Sequence, residues 1–144
     1  LDAWAVRTIP EGCFITLWCG HLGAGGGLEY VDAGHGLALV RHADGSISSL
    51  GGERRPPVGI EVFPATASKA VLAPGEALIL FSDGLVEEPS SSRDGDRYGL
   101  ERVEASIRAH GADPAAILAD LVDWCERDHF DDDLTVLVVR RAEA

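Results

Sequence analysis

Two acidic positions stand where chemistry can happen. Asp83 follows the unbroken apolar run of residues 77–81 by way of Ser82 and precedes Gly84, while Asp131, Asp132 and Asp133 lead into the β-branched run of residues 134–140. An apolar run without alternation marks a strand buried on both faces. If the two strands are antiparallel neighbours, the exit of one lies beside the entrance of the other. Carboxylates gathered at a sheet edge repel one another unless a cation neutralises them, and Mg²⁺ or Mn²⁺ favours oxygen ligands together with retained waters. The same residues also read as a turn at Asp83-Gly84 and a helix-to-strand loop at the acidic run.

Other chemically suggestive residues carry plainer readings. The glycine-rich run of residues 23–27 has no following Gly-Lys-Ser/Thr and is succeeded by a strand, so it is a hairpin turn and not a phosphate loop. Cys13, Cys19 and Cys125 form neither a Cys-x-x-Cys pair nor an even set, which fits a reducing cytosolic compartment. The even spacing of Cys13 and Cys19 places both on one face of a strand as small buried hydrophobes. His21, His42, His110 and His129 lack ligand spacing, and Trp4, Trp18 and Trp124 are expected in the core or at an interface.

A chain of 144 residues is expected to form one domain. The net charge of −12 argues against nucleic acid and against an anionic membrane, since phosphate binding runs on clustered Lys and Arg. No apolar run approaches the ~20 residues needed to cross a bilayer, and no secretory signal is present, so a soluble, cytoplasmic protein is expected.

The elements that must position the acids follow from the pattern. Residues 14–22, 28–31 and 37–41 are β-prone stretches separated by glycine-rich or turn-forming breaks, with a short strand at 46–50. Residues 51–59, with Pro56 and Pro57, form a loop. Residues 67–72 pass through the Pro74-Gly75 turn into the buried strand 77–81, which ends in a turn at Ser82-Asp83-Gly84. Residues 87–99 have no apolar period and read as a mobile surface loop. Two helices follow. The first covers residues 100–109 and the second has Asp113 as N-cap, Pro114 in its first turn, and Ile117, Leu118, Leu121, Val122 and Cys125 on one side. Antiparallel strands first and a helical pair near the end predict an α+β fold.

Four stretches carry a resemblance in order along the chain: Phe14-Ile-Thr-Leu-Trp-Cys-Gly20, Tyr30-Val-Asp-Ala-Gly-His-Gly36, Leu80-Phe-Ser-Asp-Gly-Leu-Val-Glu87 and Asp132-Asp-Leu-Thr-Val-Leu-Val138. Together they resemble the motifs of the SpoIIE-like, metal-dependent serine/threonine phosphatases, over residues 12–141. The resemblance implies an antiparallel β-sandwich flanked by helices, as in type 2C phosphatases, with residues 1–144 a single partial domain whose N-terminal part is missing. It implies Asp83 and Asp132 as ligands of Mn²⁺ or Mg²⁺, Gly84 permitting the turn, Thr135 backing the site, and Asp133 a neighbour that does not ligate. Successive strand residues point to opposite faces, which agrees with choosing one of Asp132 and Asp133. His35 falls at a structural turn, and no residue of this chain is expected to act as a catalytic acid or base.

The family's mechanism, as the resemblance implies it, uses two cations to acidify an attacking water. It also needs an N-terminal Gly-Asp whose carboxylate bridges them, and the chain's one Gly-Asp pair, Gly95-Asp96, lies in the polar loop. The expected function is therefore dephosphorylation of phosphoserine or phosphothreonine on a regulatory protein by the parent domain, in partner-switching control of a sigma factor. This chain alone is expected to bind at most one cation weakly and to turn over poorly. The implied partner is a phosphorylated regulator of the anti-sigma-factor-antagonist type, and an exposed sheet edge implies a homodimer. The alternative is a degenerate phosphatase fold that serves as a non-catalytic interaction module.

Overall fold

The computed structural model describes residues 2–62, 64, 66–92, 95–126 and 129–143. In chain order the elements are α1 (Asp2–Thr8), β1 (Leu17–Leu22), β2 (Gly27–Ala33), β3 (Ala38–Arg41), β4 (Ile47–Ser49), β5 (Arg54–Arg55), β6 (Ser68–Val71), β7 (Ala77–Phe81), α2 (Asp83–Glu87), α3 (Gly99–His110), α4 (Pro114–Cys125) and β8 (Val136–Arg140). They fall into two compact units, Leu1–Gly36 with Gly51–Leu72, and Leu37–Leu50 with Ala73–Ala144. The expected α+β class, antiparallel sheets with helices, is what these elements build.

In the first unit β2 is the central strand. It pairs antiparallel with β1 from Leu17↔Ala33 to Leu22↔Leu28, and its other edge takes β6 antiparallel and then β5 parallel. The glycine-rich turn closes the β1–β2 hairpin: Gly23 N–H donates to Gly27 O at 2.9 Å, and Gly26 adopts a φ of 81°, which a side chain would resist. Trp18 stacks on Tyr30 with ring centroids 5.6 Å apart, and the bare Cα of Gly20 leaves room for the indole. Ala5, Ala33 and Val58 form a small core with Ile9 and Leu17.

In the second unit four strands run antiparallel in the order β4-β3-β7-β8. Strand parity sends Leu39, Ile79 and Phe81 to one face, where Val103 and Ile107 of α3 and Ile117, Leu121 and Cys125 of α4 complete the core. Burying side chains of this size contributes about 1.5–3 kcal/mol each. As the sequence indicates, α4 starts with Asp113 accepting from Ala115 N–H at 3.1 Å and with Pro114 in its first turn. α3 stops at Gly111, whose φ of 69° suits a left-handed C-cap. No helix among the described residues is long and apolar enough to cross a membrane.

Several local expectations are corrected. β1 begins at Leu17, with only an isolated bridge from Ile15 to Val58 before it, so Cys13 precedes the strand and the parity argument fails; Cys13 and Cys19 are both exposed, while Cys125 is buried. β3 does not continue from β2 in one sheet but pairs with β4 and β7 in the second. The proline-containing loop holds the two-residue β5, whose pairing with distant β2 leaves no local signal. The expected turn at Ser82-Asp83-Gly84 is the start of helix α2. Val122 is 38% exposed and lies off the apolar side of α4. The stretch after α2 is anchored: Ser90 N–H donates to Asp96 O, Tyr98 N–H donates to Glu88 O, and Pro89 bridges to Arg97. Within it, Arg93 and Asp94 lie outside the described residues.

Candidate functional site

The two acidic stretches meet because β7 and β8 are neighbours. Their ladder ends with Phe81 opposite Val136, and Ser82 extends it by one rung, its N–H donating to Thr135 O at 3.0 Å. The Ser82 hydroxyl then clamps the incoming chain from both sides. It accepts from Thr135 N–H at 3.0 Å and donates to Asp133 O at 3.1 Å. The chain turns at once into α2, with Asp83 in the first turn where its charge favours the helix N-terminus.

Gly84 is the point of closest approach. A Cβ built on it stands 2.7 Å from Asp133 O and 3.4 Å from Asp132 Cβ, so no side chain fits between α2 and the acidic run. Asp83 and Asp132 are therefore brought to one edge of the second sheet, both exposed. Asp83 Oδ1 accepts from Gly84 N–H at 3.1 Å and Asp132 Oδ1 from Asp133 N–H at 2.7 Å. Asp131, Asp132 and Asp133 precede β8, so the expected alternation does not govern which way their side chains point.

A cavity of about 210 Å³ adjoins this edge, lined by Gly84, Asp131 and Asp132 together with Glu87, Glu88, Pro89 and Arg97. Glu88 is the residue that sequence reasoning missed. It is 1% exposed, and its two carboxylate oxygens lie 3.3 Å from the Asp131 N–H, which fixes the backbone just before Asp132. Arg97 donates to Glu87 Oε2 at 2.6 Å on the rim. An acid inside a polar stretch offers no apolar period to mark its burial. The one available signal is the Glu87-Glu88 pair directly following the apolar Leu85-Val86.

The remaining candidates sit elsewhere. Asp32 is nearly buried and accepts from His35 N–H at 2.9 Å and Gly36 N–H at 3.0 Å, closing a turn in which Gly34 and Gly36 take φ of 77° and 70°. Asp96, of the Gly-Asp pair, is bound to Arg102 at 3.1 Å. Among the described residues no three His, Cys, Asp or Glu side chains gather as a metal-holding group. Two carboxylates at one edge suit a single hard cation that keeps several of its waters.

The family model of stage II sporulation protein E (SpoIIE) matches residues 1–142. The RsbU and RsbW domains of Rv1364c from Mycobacterium tuberculosis superpose with a TM-score of 0.74 at 26% identity, over 99% of this chain and 40% of that one. The SiaA-PP2C domain of Pseudomonas aeruginosa gives 0.72 at 21% identity, over 94% and 55%. The phosphatase domain of the cell fate determinant SpoIIE from Bacillus subtilis, presoaked with Mn, gives 0.65 at 18% identity, over 90% and 57%. At these lower identities the last two speak to the fold alone. The chain thus spans between 40% and 57% of these three structures. None of the curated proteins matches it.

Proposed function

The chain belongs to the SpoIIE family, and from that membership we propose that it is the part of a metal-dependent serine/threonine phosphatase domain that supplies the carboxylates of Asp83 and Asp132 to a divalent cation. The observation that carries this reading is the Ser82 clamp, which holds the start of α2 against Thr135 and Asp133 and so sets both carboxylates at one sheet edge. Gly84 contributes by its lack of a side chain, and Glu88 by holding the Asp131 backbone. A Mn²⁺ or Mg²⁺ ion there would acidify bound water and offset charge on a phosphoryl group. Asp133 and Thr135 serve through their backbone groups and not as ligands.

The substrate class of this reading is a phosphoserine or phosphothreonine on a regulatory protein of the anti-sigma-factor-antagonist type, acted on in the cytoplasm by the parent domain. A bridging carboxylate has no counterpart among Asp32 and Asp96, which are committed to a turn and to Arg102. This chain with Mn²⁺ and a phosphopeptide is therefore expected to turn over at least ~100-fold more slowly than an intact family domain. Calorimetry should find one weak cation site that Asp132→Asn removes. Robust turnover abolished by Asp83→Asn would show the chain to be sufficient alone; turnover indifferent to both aspartates would remove them as ligands.

One observation favours the non-catalytic alternative. The first unit exposes Val6, Phe14 and Ile60 around a cleft of about 600 Å³, an apolar surface of the kind that marks protein contacts. Among the described residues β1 pairs only with β2 and β8 only with β7 in their sheets, which leaves edges for self-association. A strict monomer by light scattering at high concentration would dispose of the homodimer.

A further inference from the structure

The second unit holds a polar row that the cation site does not use. His42 lies one residue beyond the Arg41↔Ala77 rung, which sets it opposite Glu76, and Ser48 lies diagonally across on β4, where Val40 pairs with Ser48. His42 Nδ1 is 2.6 Å from Glu76 Oε1, and His42 Nε2 is 2.8 Å from Ser48 Oγ. We propose that Ser48, His42 and Glu76 form a nucleophilic relay in which Ser48 Oγ takes an acyl group from a small activated ester, independently of Asp83 and Asp132.

Each part has the placement this chemistry requires. A carboxylate at Nδ1 assigns the ring proton to that nitrogen and leaves the Nε2 lone pair facing the serine hydroxyl. Glu76 is itself held, since Oε2 accepts from Ala73 N–H at 2.8 Å and the side chain is only 13% exposed. The His42 hydrogen bond, aided by the Ala73 N–H, keeps the Glu76 carboxyl below the usual range, so it stays an anion at neutral pH. A nucleophile and a base within hydrogen-bond reach, with the base oriented by a third group, is the arrangement that activates serine.

The strand leaves backbone donors beside the serine. His42 N–H donates to Ser46 O and Leu50 N–H to Ala38 O, so the hydrogen-bonded pairs of β3 and β4 are 42 with 46 and 38 with 50. By the alternation of an antiparallel ladder, the N–H groups of Ile47 and Ser49 turn away from β3. Among the described residues β4 is the edge of its sheet, so these donors pair with no further strand. Two residues apart on an extended strand they lie ~7 Å from one another, so an acyl oxygen on Ser48 can take a hydrogen bond from one of them and not from both. Ser48 is itself exposed, so a substrate reaches it without any rearrangement.

The step balances without a cofactor. Ser48 Oγ bonds to the acyl carbon while its proton passes to His42 Nε2; the C–O bond to the leaving group breaks, and that alkoxide takes the proton from His42. Water, deprotonated by His42, then releases the carboxylic acid and restores the serine.

Diisopropyl fluorophosphate is a suitable probe, because it modifies activated serines and leaves ordinary serines and the exposed thiols of Cys13 and Cys19 alone. The full chain, treated in the presence of EDTA, is expected to gain one diisopropylphosphoryl group, mapped by peptide fragmentation to Ser48. In a His42→Gln variant with an unchanged circular dichroism spectrum, the rate should fall at least ~100-fold. Absence of the adduct on the folded native chain overturns the proposal, as does modification of Ser48 at an undiminished rate in His42→Gln. Either result would leave the row as a strut tying the β3–β4 hairpin to the turn before β7.

Discussion

Gly84→Ala sets two effects of opposite sign against each other at the point where the acidic stretches meet. Alanine gains up to about 1 kcal/mol over glycine inside a helix, and α2 offers that gain. Against it, the new methyl would stand 2.7 Å from Asp133 O and 3.2 Å from Leu134 Cδ2. The leucine tip can swing aside. The carbonyl cannot, because it accepts from Ser82 Oγ and lies two residues from the Thr135 rung. Relief requires moving the acidic run, at the ~1–3 kcal/mol typical of overpacking, with about 1 kcal/mol more if the Ser82 bond is lost. The net expectation is destabilisation by about 1–2 kcal/mol in urea titration followed by circular dichroism. Calorimetry should show weaker Mn²⁺ binding alongside it, since Asp132 is pushed from Asp83. A variant as stable as the native chain, or more so, with unaltered Mn²⁺ affinity would refute the reasoning.

Three further outcomes are expected. Ser82→Ala deprives Thr135 N–H and Asp133 O of their hydroxyl partner and should cost about 1–3 kcal/mol, whereas Ser82→Thr, which keeps the oxygen, should stay near native in thermal unfolding. Asp32→Ala leaves the His35 and Gly36 N–H groups without their acceptor and should lower stability by a similar amount, with Asp32→Asn losing less. Burial, with help from the Asp120 charge and opposed by Arg102, pushes the Tyr98 phenol up to about 12. A folded pKa above the unfolded value near 10 means stability that is complete below pH ~10 and lost as pH climbs toward 12, on the order of 2 kcal/mol at full ionisation. Tyr98→Phe should accordingly raise the pH at which alkaline unfolding, followed by circular dichroism, begins.

What could be read from the sequence was what local periodicity and capping encode. The unbroken run that became β7, the β-branched run that became β8, and the Asp113-Pro114 start of α4 each carry their signal within a few residues. The meeting of Asp83 with Asp132 followed from supposing those two strands adjacent, and the ladder from Ala77↔Arg140 to Phe81↔Val136 makes them so. What escaped depends on partners far along the chain. β5 exists only because β2 lies beside it. α2 has five residues with a glycine second, too short for a period and easily taken for a turn. Glu88 is drawn inside by the Asp131 backbone more than forty positions away. Cys13 and Cys19 were misplaced because parity was carried back beyond the true start of β1 at Leu17.

The central claim is that one cation sees both acidic stretches, and paramagnetic broadening by Mn²⁺ reads this directly. In an amide correlation spectrum of the isotopically labelled chain, sub-stoichiometric Mn²⁺ should erase the signals of Asp83 and Gly84 together with those of Asp132 and Asp133, at the same added concentration. Loss of one set while the other stays sharp would place these carboxylates around different ions, or around none, and would contradict the account.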